Sequence, residues 1–259
     1  MARSINVITE DRASGAQVID GSLKFDGSST HLDRTPSSAS NRKTWTWSSW
    51  IKRTAFGANE RVLQARDGST GNQTFIQFRT DNKMYVGGNS DVFLVNTDRV
   101  FRDIGWGHLV VSFDTTQSTA SNRIRIYWNG DLTDLSGTQP TQDYSTAQIN
   151  STLIHAIGNE SGGDSEHFEG SLSNAYLIDG QALDASYFGF TDPLTNTWKP
   201  KKYTGTFGTN GFWLPMDGNS PIGKDQSGNG NDWTPVNFGG SVELDNSQVS
   251  GARPILNTT

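Results

Sequence analysis

Apolar and polar residues alternate repeatedly along this chain, and such alternation is typical of β-strands with one buried face. No segment longer than about ten residues keeps the apolar spacing of a helix. The segment NRIRIYW places Ile124, Ile126 and Trp128 on one face. Asn129-Gly130 follows it, and this dipeptide tolerates the positive φ angles of a type I′ turn. The pattern therefore predicts a hairpin.

The segment TWTWSSWI places Trp45 and Trp47 on one face with Ile51, and Trp50 on the reverse face. Similar patterns occur in HLVVSFD, SLKFDG, RVLQA, TFIQFR, KMYVGG, VFLVN, TLIHAIG and SLSNAYLID. Ten or so strands separated by Gly, Asn and Asp turns favour a sandwich or jelly roll. ALDASYF, residues 182–188, is the one helical pattern and predicts a short peripheral helix.

These patterns divide the chain into four parts. Residues 1–21 form a polar N-terminal arm, whose alternating INVI could pair with a partner's sheet edge. Residues 22–190 form the sandwich, and the Gly- and Pro-containing residues 191–211 form a connector. Residues 212–259 carry only two predicted strands, too few to bury a core. This C-terminal extension should therefore pack on the sandwich or on a neighbouring subunit.

The amino-acid composition argues against several classes of function. The net charge is −6 and the basic residues are scattered, so nucleic acid is not an expected partner. The 259 residues include no cysteine, which excludes disulfides and thiol chemistry. No window has the eighteen or so apolar residues of a membrane span, and the first residues lack the apolar core of a signal peptide. We expect a soluble protein that is not exported by a cleaved signal of the usual kind.

Six segments occur in an order that resembles the laminin G-like, concanavalin A-type jelly roll. They are SLKFDGSSTHL, TWTWSSWIKR, GWGHLVVSFD, RIRIYWNGDL, LIHAIGN and FEGSLSNAYLIDGQALDASYF, and they span residues 22–189. The resemblance implies an all-β fold, a two-sheet antiparallel jelly-roll sandwich with the arm and the C-terminal extension attached. It says little about activity, because this sandwich carries enzymes, lectins and adhesion modules.

One phrase stands in an unusual place. In laminin G-like modules a phrase similar to DQSGNGND commonly precedes the FDGS strand, whereas here it follows that strand by about two hundred residues. With RTPSSASNRKTWTWSSWIKR and GNGNDWTPVNF, this order resembles virion proteins of tailed bacteriophages.

The virion resemblance implies a non-enzymatic structural protein, a tail fibre or a capsid appendage (decoration) protein, located in the virion after assembly in the host cytoplasm. Its implied partners are further copies of the chain, for example in a trimer, other virion proteins and host-surface polysaccharide. The alternative function is a carbohydrate-binding lectin module. The third hypothesis is a glycoside hydrolase or lyase.

The phrase KDQSGNGNDWTP contains half of a calcium loop. Asp225 and Asn229 fit the start of an EF-hand, but Val236 stands where a bidentate Glu is needed. A calcium site of another type would use Asp225, Asn229 and Asp232. The favoured interpretation is a set of Asx-turns, which needs no ion. We therefore predict no cofactor, with calcium as the alternative.

Eight tryptophans are candidates for stacking on sugar rings, since glycan sites use exposed aromatic planes. Four have core-like positions, namely Trp45, Trp47, Trp106 and Trp128. The four glycan-binding candidates are Trp50, Trp198, Trp213 and Trp233. Burial against a partner subunit competes with sugar stacking for the last three.

No catalytic residue is predicted. Retaining glycosidases need two carboxyl groups about 5 Å apart, and the nearest set is Asp164, Glu166 and Glu169. Asp164 and Glu166 follow a Gly-Gly turn, so we expect them to be solvated loop acids. His108 begins a strand and is predicted to bond a neighbouring loop rather than to act in catalysis.

Overall fold

The alternating segments form two stacked antiparallel sheets. The computed structural model describes residues 15–68, 71–88, 92–145, 147–163 and 165–238. Within this part of the chain the strands are β1 (Leu23–Asp26), β2 (His31–Arg34), β3 (Thr44–Arg53), β4 (Glu60–Arg66), β5 (Gln73–Phe78), β6 (Met84–Gly88), β7 (Phe93–Thr97), β8 (Gly107–Asp114), β9 (Ile124–Trp128), β10 (Asp131–Leu132), β11 (Leu135–Thr138), β12 (Ile154–Ile157), β13 (Glu169–Asp179), β14 (Gly189–Thr191), β15 (Trp198–Pro200), β16 (Phe212–Leu214) and β17 (Thr234–Val236).

The first sheet has the order β1-β13-β3-β8-β9-β10, and β16 also pairs with β13. The second sheet has the order β11-β7-β6-β5-β4-β12-β2-β17, and β14 and β15 form a small separate sheet. The predicted all-β, two-sheet antiparallel sandwich is confirmed. No helix in the described residues has the length and apolar character needed to cross a bilayer.

The sandwich core lies between the two large sheets. Trp45, Trp47 and Ile51 point into it from β3, whereas Trp50 points to the outer face of the first sheet. The predicted sidedness of this strand is confirmed. Trp45 stacks on Phe113 of β8, with ring centroids 4.8 Å apart. Burial of such aromatic side chains is a main source of the stability of the sandwich.

Two local predictions have different outcomes. Asn129 and Gly130 adopt positive φ angles of 51° and 90° and join β9 to β10, which confirms the hairpin. The predicted helix at residues 182–188 is wrong in length, since only a 3-10 turn forms at Ala185–Tyr187. The Asp184 side chain caps this turn, and β14 starts at Gly189 directly after it, which leaves no room for a second turn.

The C-terminal strands pair within the chain. β16 lies along β13 in line with β1, so that Leu214 is opposite Ala175 and Leu23 is opposite Leu172. The two strands meet at a bulge in β13, where the Ser173 hydroxyl donates to the Gly21 carbonyl at 2.7 Å. We call this meeting point the seam. β17 pairs with β2 in the second sheet.

Residues 15–21 and 181–211 form a covering layer on the outer face of the first sheet. That face carries apolar side chains on neighbouring strands, among them Val110, Tyr127 and Tyr176. The covering layer packs Phe188 and Tyr203 against them. The predicted INVI segment of the arm lies outside the described residues.

Candidate functional site

A cleft of about 510 Å³ opens at the seam, on the outer face of the first sheet. We call it the seam cleft. Its walls are residues 15–20 of the arm and Lys201 and Lys202 of the connector, and its floor includes Trp213 and Asn174. Its volume falls in the range of small-ligand sites, which combine an apolar surface with a few polar groups.

Trp213 is the aromatic surface of the seam cleft. It is held on β16 opposite Tyr176, and the two rings are parallel with centroids 5.8 Å apart. The indole Nε1 donates to Asn174 Oδ1 at 2.7 Å, and the Lys202 ammonium lies 4.5 Å from the ring centroid. The ring is thereby fixed in orientation, while its side chain stays half-buried.

Asn174 connects the bulge to the arm. It has a φ of 53°, a left-handed conformation that is concentrated at turns and functional sites. Its Nδ2 donates to Gln17 Oε1 at 3.1 Å, and its backbone N–H donates to the Pro215 carbonyl at 3.0 Å. The floor of the seam cleft is therefore preorganised by hydrogen bonds that join three distant parts of the chain.

Charged groups of both signs surround the seam cleft. Lys201 and Lys202 are exposed on the connector side, and Asp20 and Asp217 line the opposite side. Asn219 donates its backbone N–H to Asp217 at 2.9 Å. These groups can bind a polar ligand through hydrogen bonds and an aromatic contact.

Two of the four candidate tryptophans are buried, which corrects their assignment as exposed platforms. Trp50 is 6% exposed, beneath Ile19 of the covering layer, and Trp233 is 3% exposed, with its ring 5.0 Å from Phe212. Trp198 packs so tightly that a Cβ at Gly130 would come within 2.4 Å of its ring. Only Trp213 lies in the seam cleft.

His108 has the structural role predicted for it. Its Nδ1 accepts from Trp198 Nε1 at 3.1 Å, and its Nε2 lies 2.9 Å from the Ser48 hydroxyl. Because an indole N–H can only donate, Nδ1 is the acceptor and Nε2 carries the proton in the neutral ring. Burial lowers the pKa of His108 to about 3. The imidazole thus joins the first sheet to its cover.

The proposed calcium ligands already have partners in the chain. Asp225 accepts from the backbone N–H groups of Trp213 at 2.9 Å and Asn231 at 2.9 Å. Asn229 donates its side-chain amide to the Gly208 and Gly211 carbonyls. Within the described residues no three His, Asp or Glu side chains are grouped as metal ligands. This geometry supports the Asx-turn interpretation of the loop.

Asp232 completes that loop. Its Oδ2 lies 2.7 Å from the Lys224 ammonium, and its Oδ1 accepts from the Asp225 backbone N–H at 3.0 Å. The network explains why the glycine- and asparagine-rich phrase folds back between two strands rather than forming a linker.

The two described acidic candidates have different surroundings. Glu166 is bound to Arg61 beside the second sheet, and Glu169 is the first residue of β13 in the first sheet. Asp164 lies outside the described residues. The absence of enzymatic activity stays a prediction.

The outer face of the second sheet carries a polar row that the sequence interpretation missed. Neighbouring strands place its members side by side, namely Arg61, Gln77, Tyr85, Asn96 and Ser136. Alternation of Gln77 and Arg79 with Ile76 and Phe78 in TFIQFR is the signal that could have indicated a polar outer face. The cross-strand register that assembles the row is not visible in any one segment.

The fold is a two-sheet sandwich of the concanavalin A-like jelly-roll type. The family described as the Concanavalin A-like lectin/glucanases superfamily, Laminin_G_3, matches residues 26–186, and the chain belongs to this family. The predicted resemblance to laminin G-like, concanavalin A-type modules is thereby confirmed. No curated protein sequence matches the chain significantly.

Solved structures resemble the chain at low sequence identity. A "putative carbohydrate binding protein" from Bacteroides ovatus has a TM-score of 0.56 and 15% identity, and the match covers 93% of this chain. The match spans 62% of that protein's length. A SAP-like pentraxin from Limulus polyphemus has a TM-score of 0.48 and 17% identity, over 64% of this chain and 78% of the pentraxin.

Proposed function

We propose that the protein is a carbohydrate-binding module and that the seam cleft binds the sugar. The observation that carries this proposal is the Trp213 ring, oriented by Asn174 and half-buried in a cleft of ligand size. Membership in a family described by lectins and glucanases supports it. The name of the Bacteroides ovatus relative, which shares the fold over nearly the whole chain, is consistent with it.

The chemistry of the ring favours a sugar. The face of an aromatic ring carries a partial negative charge. The Lys202 ammonium lies 4.5 Å from the Trp213 centroid and is attracted to this face in a cation–π contact. The C–H groups on one face of a pyranose are weakly positive and would take the same position. Lys202 is exposed and flexible enough to move aside and donate to sugar hydroxyls.

The test is a screen of the full chain against a glycan array, followed by calorimetric titration of the best ligand. Trp213→Ala should weaken binding by roughly tenfold or more, since loss of an aromatic contact costs on the order of 1.4 kcal/mol. Trp213→Phe should retain part of the affinity because it keeps an aromatic plane.

Tyr187→Ala is the matched control, because Tyr187 is an aromatic residue 47% exposed outside the seam cleft. This variant should bind like the wild type. Equal loss of affinity in Trp213→Ala and Tyr187→Ala, or no binding of any glycan by the wild type, would contradict the proposal.

We further propose, from the sequence resemblance, that the module serves on a bacteriophage virion as a tail fibre or capsid appendage. The part of the C-terminal extension that is described closes the sandwich within the chain, so the fold itself does not require a second copy. The homo-oligomer and the virion partners stay predictions. Cryo-EM of the intact particle would test them, and a particle that lacks the protein would contradict the virion role.

A further inference from the structure

Two arginines flank one aromatic ring at the polar row. The Arg61 guanidinium lies 4.1 Å from the Phe75 centroid and that of Arg79 lies 5.5 Å from it. Arg79 also lies 4.5 Å from the centroid of Tyr85, which belongs to the row. Arg79 is half-exposed at the rim, whereas Arg61 is 5% exposed behind it.

Among the described residues, three side chains at the polar row have donors without an acceptor. Arg79 Nε donates to Gln77 Oε1 at 3.2 Å, and in the described part of the chain its terminal nitrogens have no acceptor. Arg61 Nη1 and Gln77 Nε2 are buried, also without a hydrogen-bond acceptor among these residues. Gln77 is only 1% exposed. Buried donors without acceptors are costly, so the group is suited to a ligand that brings acceptor oxygens.

The ion pairs around the polar row leave out Arg79. Glu166 is the ion-pair partner of Arg61, and Glu160 is paired with Arg66. Asp81 accepts from the Tyr85 hydroxyl at 2.8 Å. Arg79 forms no ion pair within the described residues. Burial lowers the pKa of Arg61 and the charge of Arg79 lowers it further, whereas Glu166 raises it. An anionic ligand could therefore pair with Arg79 without displacing an existing ion pair.

We infer that the polar row is a second binding site, specific for glycans that carry an anionic group, with Arg79 as the residue that binds the carboxylate or sulfate. A guanidinium forms two parallel hydrogen bonds with such a group. Arg61 and Gln77 lie buried behind it and add positive charge and N–H dipoles. Asn96 and Ser136 continue the row and provide hydrogen-bonding groups for the adjacent sugar hydroxyls.

This inference relies on the proposed function only for the identity of the polymer as a glycan. The site itself is separate from the seam cleft, because the row lies on the outer face of the second sheet and the seam cleft on the outer face of the first. The net charge of −6 argues against general attraction of polyanions, so any binding of an acidic polymer must come from a local site.

The experiment is affinity electrophoresis and calorimetry of the full chain with two matched pairs of polymers. Polygalacturonate is compared with its methyl ester, and dextran sulfate with dextran. We expect the charged member of at least one pair to bind tenfold or more tightly than its neutral counterpart. The pair that responds identifies carboxylate or sulfate as the bound group.

Variants locate the site. Arg79→Gln should abolish the preference for the charged polymer, and Arg79→Lys should restore part of it, because lysine keeps the charge without the paired hydrogen bonds. Arg102→Gln is the matched control, since Arg102 is exposed and its loss changes the net charge equally. Trp213→Ala should leave the preference intact.

Two outcomes would overturn the inference. In the first, charged and neutral polymers bind equally, while the binding of neutral glycans still requires Trp213. That result would contradict the second site but not the proposed function of the seam cleft. The other is the same loss in Arg79→Gln and Arg102→Gln, which indicates general electrostatics. Charged polymers that bind through Arg79 when no neutral glycan binds would instead support the inference and count against the seam cleft.

Discussion

The outer faces of the two sheets differ in polarity and in whether other parts of the chain cover them. The first sheet presents Val110, Tyr127 and Tyr176, and the chain covers these side chains with its own connector and arm. The second sheet presents Tyr85 and Asn96 in its polar row, both half-exposed. The arm and the connector, which lie outside the predicted sandwich, are therefore part of its folding unit. The polar outer face of the second sheet is not covered in this way and is available to a ligand.

Removal of an aromatic side chain from the covering layer should have the largest effect. Phe188 is buried with its ring 5.6 Å from Tyr176, so Phe188→Ala should lower the free energy of unfolding by about 3–5 kcal/mol. Tyr85→Ala on the open face should cost about 1 kcal/mol or less. Urea unfolding measures both. Equal losses would mean that the cover stabilises the molecule no more than an open face does.

Loss of the Asp225 carboxylate should have an intermediate effect. Asp225→Ala leaves the Trp213 and Asn231 backbone N–H groups without acceptors and should cost about 1–3 kcal/mol. Asp232→Ala breaks an exposed ion pair and one hydrogen bond from the Asp225 backbone N–H, and it should cost less, about 1 kcal/mol.

The same samples test for calcium. Since the loop satisfies its own oxygens, addition of calcium or of a chelator should leave the wild-type melting temperature unchanged. A rise with calcium that is lost in Asp225→Ala would contradict the Asx-turn interpretation.

The last expected effect is gradual, a pH dependence from two buried histidines, His108 at the contact between the first sheet and its cover and His155 on β12 of the second sheet. Burial lowers the pKa of His108 from 6.5 to about 3 and that of His155 to about 4. Between pH 6.5 and 4.5 the unfolded chain therefore binds protons that the folded chain does not. The free energy of unfolding should fall with decreasing pH, by up to about 1.4 kcal/mol per pH unit for each histidine.

The variant His108→Gln tests this assignment. It keeps hydrogen-bonding groups but removes one titration, so the slope of unfolding free energy against pH should fall by roughly half. The remaining slope belongs to His155. A slope equal to that of the wild type would show that His108 does not contribute.

Local patterns predicted the elements whose causes are local. Alternation predicted which face of β3 carries Trp47 and which carries Trp50. The Asn129-Gly130 dipeptide predicted the hairpin, because these residue types tolerate the positive φ angles that they adopt there. The predicted length of the helix at residues 182–188 was wrong, because the single turn at Ala185–Tyr187 is followed almost immediately by a strand.

The candidate site was only partly predictable, because its geometry depends on long-range packing. Trp213 was among the candidates, but its partner Asn174 is distant in sequence and occupies a bulge that no pattern indicates. Trp50 and Trp233 are buried by the arm and by Phe212, which local alternation could not reveal. The polar row was missed because it is assembled by register across five strands.

The geometry of the seam shows that the fold is compatible with a different order of segments along the chain. β16 and β1 run in the same direction along β13 and meet end to end, and the Phe238 ring lies 5.3 Å from Phe25 of β1. A circular permutation that moved residues 212–238 in front of residue 22 would therefore preserve the strand pairings, with β16 and β1 still end to end beside β13. Such a permutation would place the glycine-rich phrase ahead of the FDGS strand, with the three-dimensional arrangement unchanged and only the order along the chain altered.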